Sequence, residues 1–193
     1  MATARLTRAE RSAHTRRELL DAAEGRFFAH GYHGTTIDDI ADDAGYTKGA
    51  VYSTFKSKAG LFLALFDEVV ERRLEELRAV LAPHDDDEAR FGALARQPID
   101  GRNAQFLLLA IEFWVYAARD EAVLGAFSER YGRLRSSLAE IGPRDSPLGI
   151  DRWAIVTLAL SNGLALERLI DPAGVPGDLM AAVQVLLTGR STT

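Results

Sequence analysis

The residues with the most distinctive types and spacing lie between positions 31 and 61. Thr36, with Asp39 three residues later, predicts a capped helix of about two turns, and Gly45 predicts the turn that ends it. Thr47 predicts the cap of a second short helix, whose side chains are mostly polar or small. Two short helices joined by a tight turn are typical of a helix-turn-helix, whose second helix enters the major groove of DNA. The chemistry predicted for this segment is recognition of phosphates and base edges.

Individual side chains of the second helix fit this chemistry. Lys48 can donate to guanine O6 and N7 or to a phosphate, and the Thr47 hydroxyl can donate to either. Gly49 is small enough to let the helix approach the groove closely. The backbone amides that begin the helices after Thr36 and at Lys58 can hold phosphates. The alternative is a small helical subdomain with exposed polar side chains, because many short helix pairs do not read DNA.

The same segment resembles the DNA-binding domain of the TetR family of bacterial repressors. The family pattern is a Gly-aromatic pair, two Thr or Ser, Ile-Ala, Ala-Gly, Ser/Thr-x-Gly, Tyr, then Phe-x-x-Lys and Leu. The chain matches it at Gly31, Tyr32, Thr35, Thr36, Ile40, Ala41, Ala44, Gly45, Thr47, Gly49, Tyr52, Phe55, Lys58 and Leu61. The resemblance is close over residues 12–66 and implies a regulator that binds operator DNA. We expect the DNA contacts to come from Thr35, Thr36, Tyr46, Thr47, Lys48, Gly49, Tyr52, Lys56 and Lys58.

Two features depart from the family pattern. Thr54 occupies a position that usually holds His or an aromatic residue, so one phosphate contact of the family is weakened or remade. Asp42 and Asp43, in the first short helix, would repel phosphates if they face outward. The arginine-rich residues 5–17 can compensate by reaching the minor groove, as basic arms do elsewhere. The alternative is an arm that is disordered and only solubilising.

The net charge of −5 taken alone argues against a nucleic-acid partner, but the distribution of charge does not. Residues 1–66 carry nine basic and eight acidic side chains, whereas residues 67–193 carry 14 basic and 20 acidic ones. Residues 44–66 contain Lys48, Lys56 and Lys58 and no acidic residue. Basic surfaces therefore coincide with the predicted DNA-reading segments of an otherwise acidic chain.

The elements that position these residues are predicted to be helices throughout, because no segment alternates apolar and polar residues long enough to indicate a strand. Thr15 with Glu18 predicts the start of the first helix, and Gly31 its end. All six prolines lie after residue 82 and divide the rest into helical segments, including a short one through Phe91 and Leu94. We therefore expect an all-α protein of about nine helices, with a flexible basic arm (1–11), a three-helix helix-turn-helix DNA-binding domain (12–57) and a helical-bundle domain for ligand binding and dimerisation (58–193).

The resemblance implies a pocket for a small-molecule effector in the second half, and aromatic residues there offer material for one. Plain hydrophobic core is the alternative for each of them. Glu112 is different, because a carboxylate in a nearly apolar helix must be paired or lose its charge. It predicts an ion pair with Arg119, Arg130 or Arg133, or else recognition of a ligand amine. The candidate pocket residues are Phe62, Phe66, Phe106, Leu109, Glu112, Phe113, Tyr116, Phe127 and Tyr131.

Two apolar helices near the C-terminus predict a dimer interface. In the first of them Ala159 and Gly163 permit close approach of another helix. The two helices carry more apolar surface than one small bundle covers, which suggests a four-helix interface between two copies. A dimer places two reading helices about 34–36 Å apart and so predicts an inverted-repeat operator. The interface residues we expect are Trp153, Val156, Leu160, Leu164, Leu179, Val183 and Leu186.

Other classes of function lack support in the sequence. Without cysteine there are no disulfides, thiolate nucleophiles or iron–sulfur clusters, and we find no HExxH, GxSxG or P-loop motif. We expect no enzyme, no cofactor and no metal site. The longest apolar stretch, residues 106–118, is too short to span a bilayer, and residues 1–17 lack the apolar segment of a secretory signal. Together with these exclusions, the resemblance to the TetR family implies a homodimeric cytoplasmic transcription regulator, a repressor that leaves its palindromic double-stranded DNA operator when a small molecule binds.

Overall fold

The protein is helical, as predicted. The computed structural model describes residues 7–84, 86, 89, 90, 93, 101–143 and 146–187, and these residues contain eight helices and no strand. Phe91 and Leu94, through which a further short helix is predicted, lie outside the described residues. The helices are α1 (Arg8–Gly34), α2 (Ile37–Asp43), α3 (Lys48–Phe55), α4 (Lys58–Leu81), α5 (Gly101–Ala117), α6 (Glu121–Ile141), α7 (Ile150–Ile170) and α8 (Leu179–Leu187).

α1 begins two turns earlier than the sequence predicts. Thr7 caps it, because the Thr7 hydroxyl accepts from the Glu10 N–H (3.2 Å) and the Glu10 carboxylate accepts from the Thr7 N–H (2.7 Å). Thr15 and Glu18 have the same spacing but lie inside the helix, where the Thr15 hydroxyl donates to the phenol oxygen of Tyr46. Residues 8–11, predicted as part of a flexible arm, are therefore helical.

Gly31 interrupts α1 where the sequence predicts its end, although the helix resumes briefly as far as Gly34. The φ of Gly31 is +71°, a conformation that L side chains rarely adopt. The Thr35 hydroxyl closes the break, since it lies within hydrogen-bonding distance of the carbonyl oxygens of Arg26 (3.1 Å) and Gly31 (2.9 Å). The chain thereby turns from α1 into α2 with the carbonyls at the break hydrogen-bonded.

The helices pack as two compact units. The first contains the chain as far as Val69 together with Leu108–Val123, and the second contains Val70–Leu107 and the chain from Leu124 onward. α4 and α5 each contribute residues to both units. The predicted boundary between the DNA-binding and ligand-binding domains, at residues 57 and 58, precedes the division of the packing after Val69. The assignment of these two functions to the two sides of residue 57 remains a prediction.

The core of the first unit contains an aromatic cluster around Tyr32. The centroid of its ring lies 5.8 Å from that of Phe27, 5.6 Å from that of Phe62 and 5.1 Å from that of Phe113. Phe62 and Phe113 stack with their centroids 4.1 Å apart, and both are fully buried. The cluster joins α1, α4 and α5. Other buried apolar residues of this unit include Leu19, Leu20, Ala23, Ile37, Ile40, Ala41, Val51, Phe55 and Leu61.

A smaller core in the second unit joins α6, α7 and α8. Trp153 is buried there and packs with Leu138 and Leu187. Its indole N–H donates to the side-chain oxygen of Gln184 (2.8 Å), whose amide nitrogen donates to the hydroxyl of Thr157 (3.0 Å). Because these polar groups satisfy one another, they are accommodated inside an apolar contact.

Candidate nucleic-acid interface

α2 and α3 form the helix-turn-helix that the capping pattern predicts. Thr36 caps α2 through a reciprocal pair with Asp39, and the Thr47 hydroxyl caps α3 by accepting from the Ala50 N–H (3.3 Å). Gly45 makes the turn with a φ of +70°. The Thr36 N–H donates to the Asp39 carboxylate at 3.0 Å and the Asp39 N–H donates to the Thr36 hydroxyl at 3.1 Å, so two of the amides at the start of α2 already have side-chain partners. A phosphate on the remaining amides of this turn stays a prediction.

α3 buries one face and exposes the other. Val51 and Phe55 are buried, whereas Tyr52 is 43% exposed despite its aromatic ring. Ser53 lies on the exposed side, one turn after Gly49. It is absent from the predicted DNA contacts, although its spacing from Gly49 places it on the same face of the helix. An exposed ring, two lysines and a glycine on one helix face are groups that reach phosphates and base edges. We call this surface the reading face, and it consists of Thr47, Lys48, Gly49, Tyr52, Ser53 and Lys56.

Lys48, at the start of the reading face, has an internal partner. Its ammonium donates to a carboxylate oxygen of Asp38 at 2.8 Å, and this hydrogen bond raises the pKa of Lys48. The side chains of Lys48 and Asp38 are 53% and 59% exposed, so the pair is accessible to DNA. A phosphate that binds Lys48 therefore competes with a carboxylate that belongs to the protein and lies beside the ammonium.

The aspartates of α2 are mostly engaged by partners of their own. Asp43 receives two hydrogen bonds from the Arg26 guanidinium, which lower the pKa of Asp43 and raise that of Arg26. Hydrogen bonds from Thr36 lower the pKa of Asp39. Within the part of the chain that is described, Asp42 is the one aspartate of α2 whose carboxylate has no hydrogen bond or ion pair. The repulsion that the sequence predicts from Asp42 and Asp43 is therefore confined to Asp42.

Two residues predicted to contact DNA are engaged inside the protein. Thr35 is only 1% exposed because its hydroxyl closes the break after α1, and this burial contradicts a DNA contact. The Tyr46 hydroxyl donates to the carboxylate of Glu18 and accepts from the hydroxyl of Thr15, both on α1. It therefore holds the turn before α3 against α1.

Lys56 and Lys58 lie where α3 ends and α4 begins. Lys56 has a φ of +70°, and its ammonium donates to the carbonyl oxygen of Ser53 (2.9 Å) at the exposed surface. The Lys58 ammonium lies 4.5 Å from the centroid of the Tyr32 ring, a cation–π contact. Burial lowers the pKa of Lys58, and the nearby carboxylate of Glu112 opposes this effect. Lys58 is therefore directed at the aromatic cluster, not away from it as a phosphate contact requires.

The arginines of the predicted arm lie on α1. Arg8, Arg11, Arg16 and Arg17 are all exposed. The guanidinium carbon of Arg16 lies 4.9 Å from the centroid of the Phe55 ring, which places α1 beside the end of α3. Residues 8–17 of the predicted arm are therefore helical, and residues 1–6, including Arg5, lie outside the described residues.

The junction between α3 and α4 is close. The Ser57 hydroxyl caps α4 by accepting from the Gly60 N–H (2.9 Å). A Cβ atom at Gly60 would overlap the carbonyl oxygen of Phe55. Glycine at this position therefore allows α4 to approach the end of α3, and this contact fixes the reading face relative to the first turn of α4.

Glu112 connects α5 to the break in α1. Its carboxylate accepts a 2.7 Å hydrogen bond from the backbone N–H of Tyr32, and a Cβ atom at Gly31 would lie 2.6 Å from each carboxylate oxygen. Lys58 adds a favourable charge interaction. The carboxylate is therefore held by a backbone amide 80 residues away in sequence, in place of the arginines that the helical spacing predicts.

The predicted pocket residues divide between the two units. Phe62, Leu109 and Phe113 are buried in the core of the first unit, where the two phenylalanines stack on each other. In the second unit the Tyr131 hydroxyl accepts from the amide nitrogen of Asn162 (3.0 Å). Core packing accounts for the buried members, and an effector pocket remains a prediction. The remaining residues predicted to line the pocket are Phe66, Glu112 and Tyr116 in the first unit and Phe106 and Phe127 in the second.

α7 exposes a different stripe from the predicted one. Trp153 is 4% exposed because it packs against α8 of its own chain, so it is not available to a second copy. Ile155 and Ile170 are 48% and 81% exposed, and Ala159 and Gly163 are exposed between them. These four residues, which we call the α7 stripe, lie on one side of the helix. Val156, Leu160, Leu164, Leu179 and Val183 are half-buried, and the side chain of Leu186 lies outside the described residues.

α7 is also long and apolar enough to cross a membrane, and it is the one such helix found in the described residues. Only 11% of its most apolar window is buried in the chain. α7 contains no long uninterrupted apolar stretch, because polar residues such as Asn162 interrupt it, so the sequence criterion based on residues 106–118 does not identify it. One helix of this kind is weak evidence for a membrane, since an exposed apolar stripe is equally what a contact with another helix requires.

Comparison with known proteins assigns both halves of the chain. Residues 19–65 match the model described as bacterial regulatory proteins, tetR family, and residues 87–186 match that of the BetI-type transcriptional repressor, C-terminal. The HTH-type transcriptional regulator TtgR of Pseudomonas putida is 29% identical over 179 residues, which cover 89% of this chain and 73% of the relative.

Solved structures share the fold. A TetR-family transcriptional regulator from Rhodococcus sp. superposes with a TM-score of 0.74 at 18% identity, covering 91% of this chain and 99% of the other. A transcriptional regulator from Saccharomonospora viridis, solved in complex with choline, superposes with a TM-score of 0.68 at 22% identity, covering 89% and 94% of the two chains.

Proposed function

Because the chain belongs to the TetR family of bacterial regulatory proteins and has a BetI-type C-terminal domain, we propose that it is a homodimeric, cytoplasmic repressor of transcription. It binds a palindromic operator and is released by a small-molecule effector. The observation that carries the proposal is the reading face, a polar and basic surface on a helix whose opposite side is buried. Each copy presents one reading face, so two related by a two-fold axis read an inverted repeat.

Binding to DNA through the reading face is tested by mobility shift on the region upstream of the protein's own gene. Lys48→Ala and Tyr52→Ala are each expected to weaken binding by about tenfold or more, which corresponds to about 1.4 kcal/mol. Arg78→Ala, on the exposed side of α4, is the matched control and is expected to leave binding unchanged. Wild-type affinity in both reading-face variants contradicts the proposal. The alternative function, binding of a partner protein in place of DNA, predicts no mobility shift by the wild-type protein even at low salt.

Release by an effector is proposed to act through α4. This helix begins next to the reading face at Lys58 and continues into the second unit as far as Leu81, so a displacement of its second half reaches the DNA-binding half. An effector changes DNA affinity only by its preference for one of two states, typically by about 5- to 150-fold. Choline, which the Saccharomonospora viridis relative binds, is the first compound to titrate into the mobility shift. Operator binding that no compound in a metabolite panel weakens contradicts this part of the proposal.

Dimerisation is supported by the α7 stripe. Ile155 and Ile170 expose apolar surface that a second copy covers, and Ala159 and Gly163 allow the two backbones to approach. Sedimentation at micromolar concentration is expected to give the mass of a dimer. Ile155→Asp is expected to give a monomer that binds the operator weakly, because the two reading faces then no longer act together. A wild-type monomer under these conditions contradicts the proposed dimer.

A further inference from the structure

Lys48 and Asp38 form an ion pair at the start of the reading face. Lys48 is the first residue of α3, and the residues that begin the second helix of a helix-turn-helix lie at base edges in the major groove. Asp38 lies in the first turn of α2, and its Oδ2 accepts a 2.8 Å hydrogen bond from the Lys48 ammonium. Both side chains are more than half exposed. A carboxylate therefore accompanies the cation at the position where bases are read.

The surface next to this pair leaves room for a base edge. Gly49 follows Lys48 and is exposed, and a Cβ atom there would lie 3.7 Å from the Thr47 hydroxyl oxygen, which is an ordinary contact. The fold therefore accommodates a side chain at position 49, although glycine is less favourable than alanine in a helix. The missing side chain leaves the space beside Lys48 open to DNA.

The two charges of the pair act differently on a phosphate and on a base. A phosphate is an anion, so the Asp38 carboxylate repels it from nearly the same place at which the Lys48 ammonium attracts it. The major-groove edge of a base has no net charge and is recognised by its pattern of hydrogen-bond donors and acceptors. The carboxylate therefore weakens binding of Lys48 to phosphate more than its binding to a base.

The hydrogen-bonding groups that remain in the pair match a G·C base pair. An ammonium has three N–H donors and Asp38 accepts from one of them, so two can reach guanine O6 and N7. Oδ1 of Asp38 has no hydrogen bond within the part of the chain that is described, and a carboxylate accepts from the N4 amine of cytosine. That amine lies next to guanine O6 on the same edge. An A·T pair instead places an amine where the ammonium donates and a carbonyl oxygen where the carboxylate accepts.

We propose that Lys48 and Asp38 together read one G·C base pair in each half of the operator. Lys48 donates to O6 and N7 of the guanine, and Asp38 accepts from N4 of the cytosine. Asp38 is thereby a specificity-determining residue contributed by α2, and it also keeps Lys48 from binding phosphate. This inference rests on the proposed function, and it adds a base pair that the operator must contain and the residue that selects it.

Base analogues test the two contacts separately. Sequences that the wild-type protein binds are first selected from random duplexes, and each half-site is expected to contain one G·C pair whose preference is lost in Lys48→Ala. N4-methylcytosine at this pair keeps the base pairing but removes the major-groove N–H, so it is expected to weaken wild-type binding by about threefold or more. Binding by Asp38→Ala is expected to be insensitive to this analogue. 7-Deazaguanine, which lacks the N7 acceptor, is expected to weaken binding by the wild type but not by Lys48→Ala.

The effect of Asp38 on phosphate binding is tested by the ratio of the affinity for the selected operator to the affinity for an unrelated duplex. Asp38→Asn removes the charge, so binding to the unrelated duplex is expected to rise more than binding to the operator, and the ratio to fall by about threefold or more. Asp42→Asn removes the same charge from another exposed position of α2, and this matched control is expected to leave the ratio unchanged.

The outcomes separate this inference from the proposed function. If N4-methylcytosine weakens Asp38→Ala as much as the wild type, the contact with cytosine is wrong. Selected half-sites without a G·C pair that depends on Lys48 overturn the whole inference, and a ratio that Asp38→Asn leaves unchanged overturns the discrimination against phosphate. A wild-type protein that binds no duplex in the selection overturns the proposed function and this inference with it.

Discussion

Replacing Glu112 by alanine removes the contact that holds the break in α1 against α5. The lost hydrogen bond joins a carboxylate to the N–H of Tyr32, a residue that is only 2% exposed. Hydrogen bonds to charged groups contribute about 1.5–3 kcal/mol, and a buried amide left without a partner is costly. We therefore expect Glu112→Ala to lower the free energy of unfolding by about 2–3 kcal/mol. Glu112→Gln keeps an acceptor oxygen but loses the charge, so we expect a loss of about 1 kcal/mol.

Urea unfolding followed by circular dichroism measures these losses. For a chain of this size 1 kcal/mol shifts Tm by about 2–4 °C, so Glu112→Ala is expected to melt about 4–12 °C below wild type. Hydrogen exchange at the Tyr32 amide reports on the contact directly and is expected to accelerate in the alanine variant. Glu75→Ala removes an exposed glutamate of α4 and is the matched control. Unchanged stability together with unchanged exchange at Tyr32 would refute the assignment of Glu112 as the residue that holds this break.

A double-mutant cycle with Gly31 locates the carboxylate. In the wild-type background, Gly31→Ala introduces a Cβ atom 2.6 Å from both carboxylate oxygens and also strains a backbone with φ of +71°. In the Glu112→Ala background only the backbone strain remains. The double variant is therefore expected to be more stable, by about 1 kcal/mol or more, than the sum of the two single losses predicts. Additive losses would mean that the carboxylate lies elsewhere.

Three further substitutions test the contacts around the reading face. Asp38→Asn frees Lys48 from its internal partner, so operator affinity in a mobility shift is expected to rise about three- to tenfold. A fall in affinity would contradict the competition between Asp38 and phosphate. Gly60→Ala forces α4 away from the carbonyl oxygen of Phe55, so the free energy of unfolding is expected to fall by about 1–3 kcal/mol in thermal unfolding. DNA binding is expected to weaken as well. An unchanged Tm would contradict the close approach of α4 to the end of α3. Thr35→Val removes a buried hydroxyl, so the free energy of unfolding is expected to fall by about 1–2 kcal/mol while the affinity of the folded protein for DNA stays the same. A loss of DNA affinity without a loss of stability would show that Thr35 contacts DNA after all.

The helix-turn-helix is predictable from sequence because each signal lies within a few residues of its effect. Thr36 caps the helix that it precedes, and Gly45 and Thr47 act on the turn and helix beside them. The start of α1 is ambiguous for the same local reason. Thr7 and Thr15 each have a glutamate three residues later, and both capping pairs are chemically sound. The residues between Thr7 and Thr15 are helical, and this is why Thr7 is the cap and Thr15 lies inside the helix.

Contacts between distant parts of the chain are what the sequence does not predict. Trp153 looks like an interface residue by periodicity, but Gln184, 31 residues later, pairs with its indole inside the chain. Glu112 is identifiable as a carboxylate that needs a partner, yet that partner is a backbone amide 80 residues earlier. Periodicity reveals that α7 has an apolar side but not which side its own chain covers, and this is why the exposed stripe begins at Ile155 and excludes Trp153.

The ion pair between Lys48 and Asp38 changes how many cations leave the DNA when the protein binds. Each phosphate that a protein cation neutralises releases about 0.9 of a condensed counterion, and the slope of log affinity against log salt counts these releases. Lys48 brings a fixed carboxylate to the groove with it, and that negative charge retains a cation that Lys48 would otherwise displace. A salt titration therefore undercounts the contacts of the reading face. For this protein a shallow salt dependence reflects a cation neutralised before binding and not a shortage of phosphate contacts.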